Sequence, residues 1–298
     1  MSKNNITGAS AVLSAGVLWG FMGVFVRGMS AYGFSPMQTI TVRVTVAALL
    51  MALTALITNR SAFKIKLRDI WCFIGTGIVS LALFGYCYFT TIEYTSMALA
   101  AILLYTAPIM VMIMSVILFR EKITLQKILC LIAAFAGCFC VAGVSSEALS
   151  VPPMALGLGL LSGFAYALYS IFGRFAINRG YGSMTVSLYT FIFAAAALLL
   201  IGDVPGIVSI VAESRASCLP LMLGMGLFSA YLPYFLYTAG LERLESGKAS
   251  ILASVEPVVA TVCGMVFYKE FPDIFGWLGI ILVIGAIVFL NIDFKKKS

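Results

Sequence analysis

Charged residues divide this chain into long apolar runs. Stretches free of Asp, Glu, Lys and Arg cover 4–26, 70–92, 94–119, 128–146, 148–173, 180–202, 216–241 and 274–292, each of 19 to 26 residues. A helix needs about 20 apolar residues to cross a bilayer. Two more runs qualify with one charge inside them: 28–59 around Arg43, and 249–268 around Glu256. The pattern predicts ten spanning helices. Long helices satisfy their own backbone hydrogen bonds in lipid, whereas a membrane barrel would show short alternating segments. The connections are too short for a separate soluble domain. The first run, from Ile6, lacks a charged leader region and a small-residue cleavage site, so it is read as a retained helix.

The runs fall into two sets of five. Shifting the chain by 149 residues lays Gly75, Gly77, Ser80, Leu83, Tyr88 and Glu93 on Gly224, Gly226, Ser229, Leu232, Tyr237 and Glu242. In the same register Pro108 meets Pro257 and Glu121 meets Glu270, and 13 of the 72 positions from Ile70 to Val141 are identical. A repeat of this length is a statement about architecture. The expected units are 6–146 and 150–292. Five crossings per unit make the second unit enter from the opposite side. The expected fold is therefore an all-α membrane protein: ten transmembrane helices in two inverted five-helix repeats around a central cavity. Transporters built this way carry their site where the repeats meet.

Composition agrees with a bilayer protein. The chain is 62% hydrophobic and 10% charged, with no histidine, where a soluble domain has about 25% charged residues. Lys and Arg gather on alternate connections. With both termini inside, 15 of them lie on the inner side and three, Arg27, Arg215 and Lys269, on the outer. That bias places both termini in the cytoplasm of a multi-pass cell-membrane (inner-membrane) protein. The net charge of +7 then suits an anionic membrane face and calls for no nucleic-acid partner. The seven cysteines lie in or beside apolar runs and read as small buried residues. Neither metal nor cofactor is expected. Gly75-x-Gly77 and Gly224-x-Gly226 lie inside apolar runs and lack the Lys-Ser or Lys-Thr of a phosphate loop.

Packing signals recur in both halves. Gly16/Gly20 and Gly159/Gly163 are small residues four apart in the first helix of each unit, a spacing that lets helix backbones approach closely. Packing within one chain is the first reading and a homodimer contact the second. Pro108 and Pro257 predict matched kinks in the fourth and ninth helices. Pro233 predicts a kink in the eighth without a partner, because Phe84 occupies the matching position.

Charges inside the membrane are costly and usually face a cavity or a partner. Arg43 has three readings: a structural pair with a carboxylate or carbonyls, a site for an anionic substrate group, or an outward-reaching side chain. Glu256, in a chain without histidine, is the candidate proton carrier and amine site; the alternative is a structural hydrogen bond, with Arg43 as one partner. Glu93, Glu121, Glu242 and Glu270 read as solvated caps and loop ion pairs at helix ends. Trp19, Tyr86, Tyr105, Tyr166, Tyr231 and Tyr234 lie well inside helices. Buried Tyr hydroxyls need partners, so together these residues point to a cavity for a medium-sized amphipathic solute.

Gly16-Val-Leu-Trp19-Gly20, Arg43, Ala98-Leu-Ala-Ala101 with Pro108 and Glu121, then Glu256-Pro257-Val258 and Lys269-Glu270, resemble in order and spacing the EamA-type members of the drug/metabolite transporter superfamily. The resemblance covers almost the whole chain. It implies secondary transport, most often efflux of amino acids or related metabolites. The first helix has no carboxylate between Lys3 and Arg27, unlike the small multidrug relatives. Arg43 alone is basic in the membrane, unlike the sugar-phosphate relatives.

The leading function is thus a secondary transporter exporting a small amphipathic metabolite, an amino acid or related compound, by alternating access. Proton coupling would run through Glu256. A flippase for a lipid or lipid-linked sugar, and a drug-like solute exporter, are the alternatives. An enzyme would need a catalytic cluster, which two isolated intramembrane charges do not supply. A channel would need a ring of like charges or a filter.

Overall fold

The computed structural model describes residues 3–95, 97–142 and 152–292. Lys295 to Lys297, the join between the units, and the side chains of Lys3 and Glu93 lie outside the described residues. Among those residues the chain is helical without a strand. Ten helical spans are long and apolar enough to cross a membrane: α1 Asn4–Ala31, α2 Pro36–Thr58, α3 Leu67–Ile92, α4 Leu99–Phe119, α5 Leu125–Ala142, α6 Pro153–Asn178, α7 Ser183–Ile201, α8 Leu219–Leu241, α9 Ser246–Tyr268 and α10 Ile274–Asn291. With ten crossings α1 starts and α10 ends at one face, here the terminal face; the other is the distal face.

Span ends follow local chemistry. Ser35 caps α2 through a box in which its hydroxyl accepts from the Gln38 N–H (3.2 Å) and its own N–H donates to Gln38 Oε1 (2.8 Å), with Pro36 in the first turn. Such a box satisfies two of the free N–H groups at a helix start. Asp273 caps α10 by accepting from the Gly276 N–H at 2.8 Å. Arg120 and Lys269 end α4 and α9 in the left-handed conformation, at φ 56° and 60°.

The two units interlock symmetrically. α1 packs on α8 and α9 of the other half, and α6 packs on α3 and α4. α2 pairs with α7 and α8, α7 with α2 and α3, and α5 with α10. Small residues make the close crossings. A Cβ on Gly20 would lie 2.5 Å from Val259 Cβ, and one on Gly163 would lie 2.8 Å from the Leu103 carbonyl oxygen. Both Gly-x-x-x-Gly pairs therefore serve crossings within the chain, each joining the first span of one half to the fourth span of the other.

Three kinds of irregularity mark the spans. α4 is broken at Tyr105–Thr106 and α9 at Ser254–Val255, and each resumes with its proline, Pro108 or Pro257, in the first turn. α1 is also broken, at Phe21 between Gly20 and Met22, without a proline. α3 and α8 each carry a π-helical segment, Gly75–Ala82 and Gly226–Tyr231. The last point corrects the reading of Pro233. It starts the α-helix that follows the π segment, and α3 has the matching segment with no proline. The distortion of α8 therefore has a partner, and proline is not its common cause.

Candidate functional site

The breaks in α1, α4 and α9 and the π segment of α8 converge between the halves. The cavity they enclose is lined by Trp19, Met22, Arg43, Phe84, Tyr88, Leu104, Tyr105, Tyr166, Tyr234 and Glu256. Its volume is about 40 Å³. That holds a water or two, since one water's share of the liquid is about 30 Å³. A smaller space beside it, lined also by Pro108, Ser250 and Ser254, extends along α4 and α9.

Arg43 is 5% exposed. Its Nη2 donates to the Ser229 carbonyl at 2.7 Å, an oxygen presented by the π segment of α8. Its Nε is buried without a partner among the described residues. The guanidinium carbon lies 5.9 Å from the Tyr234 ring centre. Glu256 faces the same cavity from the first residue after the α9 break. No direct ion pair joins Arg43 to Glu256 among the described residues. Arg43 thus has one structural bond, to a carbonyl, and keeps a buried donor to spare.

Aromatic rings frame the two charges. Trp19 lies edge-on to Tyr234 at 5.2 Å and to Tyr166 at 6.3 Å, and Phe84 meets Tyr166 at 5.4 Å. Of the tyrosines singled out in the sequence, Tyr105, Tyr166 and Tyr234 line the cavity, as does Trp19. Tyr86 and Tyr231 do not. Tyr86 is 49% exposed on the outside of α3. It follows Phe84 by two residues, which turns it about 200° away from the cavity face. Tyr231 donates instead to Thr54 Oγ1 at 3.0 Å. Phe84 and Tyr88, four apart, hold the inner face of α3. Tyr88 was legible in the repeat register through its match to Tyr237.

The two faces differ. At the terminal face Glu121 accepts from the backbone N–H groups of Ser246 (2.7 Å) and Gly247 (3.2 Å), at the start of α9. Arg174 of α6 donates to Ser246 Oγ at 3.1 Å and to the Leu244 carbonyl. Lys127 pairs with Glu245. Deeper, Tyr169 bonds Thr238 (2.6 Å) and Ser170 bonds Tyr237 (2.8 Å). Glu121 is thus a tie between the halves, not the solvated cap its position implied. At the distal face, clefts of about 420 Å³ and 220 Å³ open on either side of Glu270. They share Tyr105, Met22 and Tyr88 with the central cavity. Across the second cleft Arg27 donates to both Glu270 oxygens, at 2.7 and 2.9 Å. The hydrogen bonds from Arg27 hold the Glu270 carboxyl below the usual glutamate range.

Fold and site together define a ten-span, two-repeat membrane protein whose irregular helices meet at a small aromatic-walled cavity holding one arginine and one glutamate, with hydrogen bonds at Glu121 tying the halves on one side of it and clefts adjoining it on the other. The profile of the EamA-like transporter family matches residues 6–143 and again 153–292, and the chain belongs to that family. It is 23% identical to the inner membrane transporter YicL of Salmonella typhimurium, over 96% of each chain. It is 26% identical to the threonine/homoserine exporter RhtA of Escherichia coli, over 74% of this chain and 71% of RhtA. A solved crystal structure superposes with a TM-score of 0.77 over 95% of this chain and 96% of that one, at 15% identity.

Proposed function

We propose that this protein is a secondary transporter that exports a small zwitterionic or amphipathic metabolite, an amino acid or close analogue, by alternating access. The observation that carries the reading is Arg43: a buried guanidinium with one donor engaged, one buried donor unpaired, and an aromatic-walled cavity in front of it. An unpaired buried donor costs about 1–3 kcal/mol, and a substrate carboxylate would relieve that cost. Glu256, across the same cavity, would take the substrate amine or a coupling proton. Trp19, Tyr105, Tyr166 and Tyr234 would pack the side chain. One comparison and one feature of the cavity support the class of solute: RhtA is a threonine/homoserine exporter, and the cavity offers one cation and one anion.

The terminal face is assigned to the cytoplasm, because 12 of the described Lys and Arg residues fall on that side and only Arg27, Arg215 and Lys269 on the other. The arrangement found here is then open outward and closed inward. The cavity has to widen to admit a solute, and the breaks in α1, α4 and α9 are where it would do so. Counterflow into proteoliposomes with pooled radiolabelled amino acids tests the proposal. Wild-type uptake that Arg43→Ala loses is the expected result. No uptake from any pool refutes the solute class.

A further inference from the structure

The register of the repeat holds at the two helix turns, although α9 ends in a π-helical segment, Gly264–Tyr268, and α4 in an α-helix. Arg120 and Lys269, matched by the 149-residue shift, share the left-handed conformation. The next residues are Glu121 and Glu270. The Glu121 N–H donates to the Ser115 carbonyl at 3.3 Å, and the Glu270 N–H to that of Gly264 at 3.1 Å; Ser115 and Gly264 are also matched. Two glutamates are therefore presented in the same way by the two halves, on opposite faces. Their partners differ. Glu121 grips the N–H groups of Ser246 and Gly247 across the halves. The matched positions are Met97 and Ala98, just before the span α4, where the helix Met97–Leu104 that leads into it begins. Glu270 is instead held by Arg27 beside the open clefts.

We propose that Glu121 and Glu270 are alternating gate latches, positioning residues for transport. Glu121 holds the terminal face shut by capping α9. When the distal face closes, Glu270 leaves Arg27 and caps the start of α4 at Met97 and Ala98, while Glu121 releases α9. A carboxylate suits this role because it accepts two backbone N–H bonds and is favoured at a helix N-terminus. Arg27 is the competitor that keeps the distal latch open. The proposal rests on the alternating-access part of the proposed function and is independent of the solute.

The repeat also supplies matched reporters. Ala101 lines the distal cleft, and its counterpart Ser250 is 6% exposed beneath the closed gate. In a chain with its seven cysteines replaced by alanine, Ala101→Cys and Ser250→Cys are labelled separately with a hydrophilic maleimide in detergent. The parent should label fast at 101 and slowly at 250. Glu121→Gln keeps one acceptor oxygen but loses the charge and the second acceptor, so it should raise labelling at 250 about tenfold and lower it at 101. Arg27→Gln should act in the same direction. In the Arg27→Gln background, where Glu270 has only its latch contact to lose, adding Glu270→Gln should act in the opposite one.

Rates at 101 and 250 that respond reciprocally to a transported amino acid, but with Glu121→Gln and the added Glu270→Gln shifting them the same way or not at all, overturn the latches and leave alternating access standing. Rates that rise and fall together overturn alternating access itself. Hydrogen exchange on the chain with its native cysteines gives a second reading. Glu121→Gln should speed exchange at Ser246 and Gly247; unchanged exchange there also overturns the latch.

Discussion

Arg43→Met separates the two roles that an intramembrane arginine can have. In the structure Arg43 donates one bond, to the Ser229 carbonyl, and buries its Nε unpaired. Losing a hydrogen bond from a charged donor costs about 1.5–3 kcal/mol, and removing an unpaired buried donor returns about 1–3 kcal/mol. The two largely offset, so stability should change by no more than about 2 kcal/mol, a shift in Tm of no more than about 8 °C. Binding has no such offset. A carboxylate held by two charged donors loses about 3 kcal/mol or more, which is a factor of about 150 in affinity. Thermal unfolding in detergent and a scintillation-proximity binding assay read the two quantities on the same preparation. Arg43→Lys, which keeps the charge without the planar fork, should fall between wild type and Arg43→Met in affinity. A large loss of Tm with affinity retained would make Arg43 a structural anchor and refute the reasoning.

Three further outcomes follow. Glu256→Gln should abolish the dependence of transport on a proton gradient while counterflow of the same solute persists; unchanged proton dependence would remove Glu256 from coupling. Gly20→Val should drive α1 from α9, since its Cβ would fall 2.5 Å from Val259 and 2.9 Å from the Glu256 carbonyl oxygen; overpacking of this kind costs about 1–3 kcal/mol, read as a lower Tm, and an unchanged Tm would contradict the packing. The Arg27–Glu270 contact should persist at neutral and mildly acid pH and weaken only as pH falls through the depressed Glu270 value. A carboxyl whose pKa is lowered by its partner gives its stabilisation above the ordinary value and loses it in acid. In a Glu256→Gln chain, where the coupling proton is removed, distances between spin labels at the distal ends of α1 and α9 should therefore be constant from about pH 8 to pH 6; a change in that window would contradict the assignment.

The ten spans were legible because lipid demands long apolar runs, and charge spacing marks their ends. The breaks in α4 and α9 were legible through Pro108 and Pro257. The break in α1 was not, since Gly20-Phe21-Met22 contains no proline and the distortion comes with the close approach of α9. The π segments of α3 and α8 were equally hidden, because a change of hydrogen-bond register leaves composition untouched. Arg43 and Glu256 stood out by being charged where charge is expensive. Which tyrosines face inward depended on helix phase, and Tyr86 and Tyr88 show how two positions reverse the answer. Glu121 lay in an ordinary charged turn, and only the fold brings it to the start of α9.

The central claim is that a carboxylate-bearing solute sits between the halves on Arg43. An experimental structure with a transported amino acid bound tests it most directly. The carboxylate should lie within hydrogen-bonding distance of Arg43 Nε, with the amine toward Glu256 and a cavity wider than the about 40 Å³ seen here. Density for that solute elsewhere, with Arg43 still bonded only to Ser229, would contradict it.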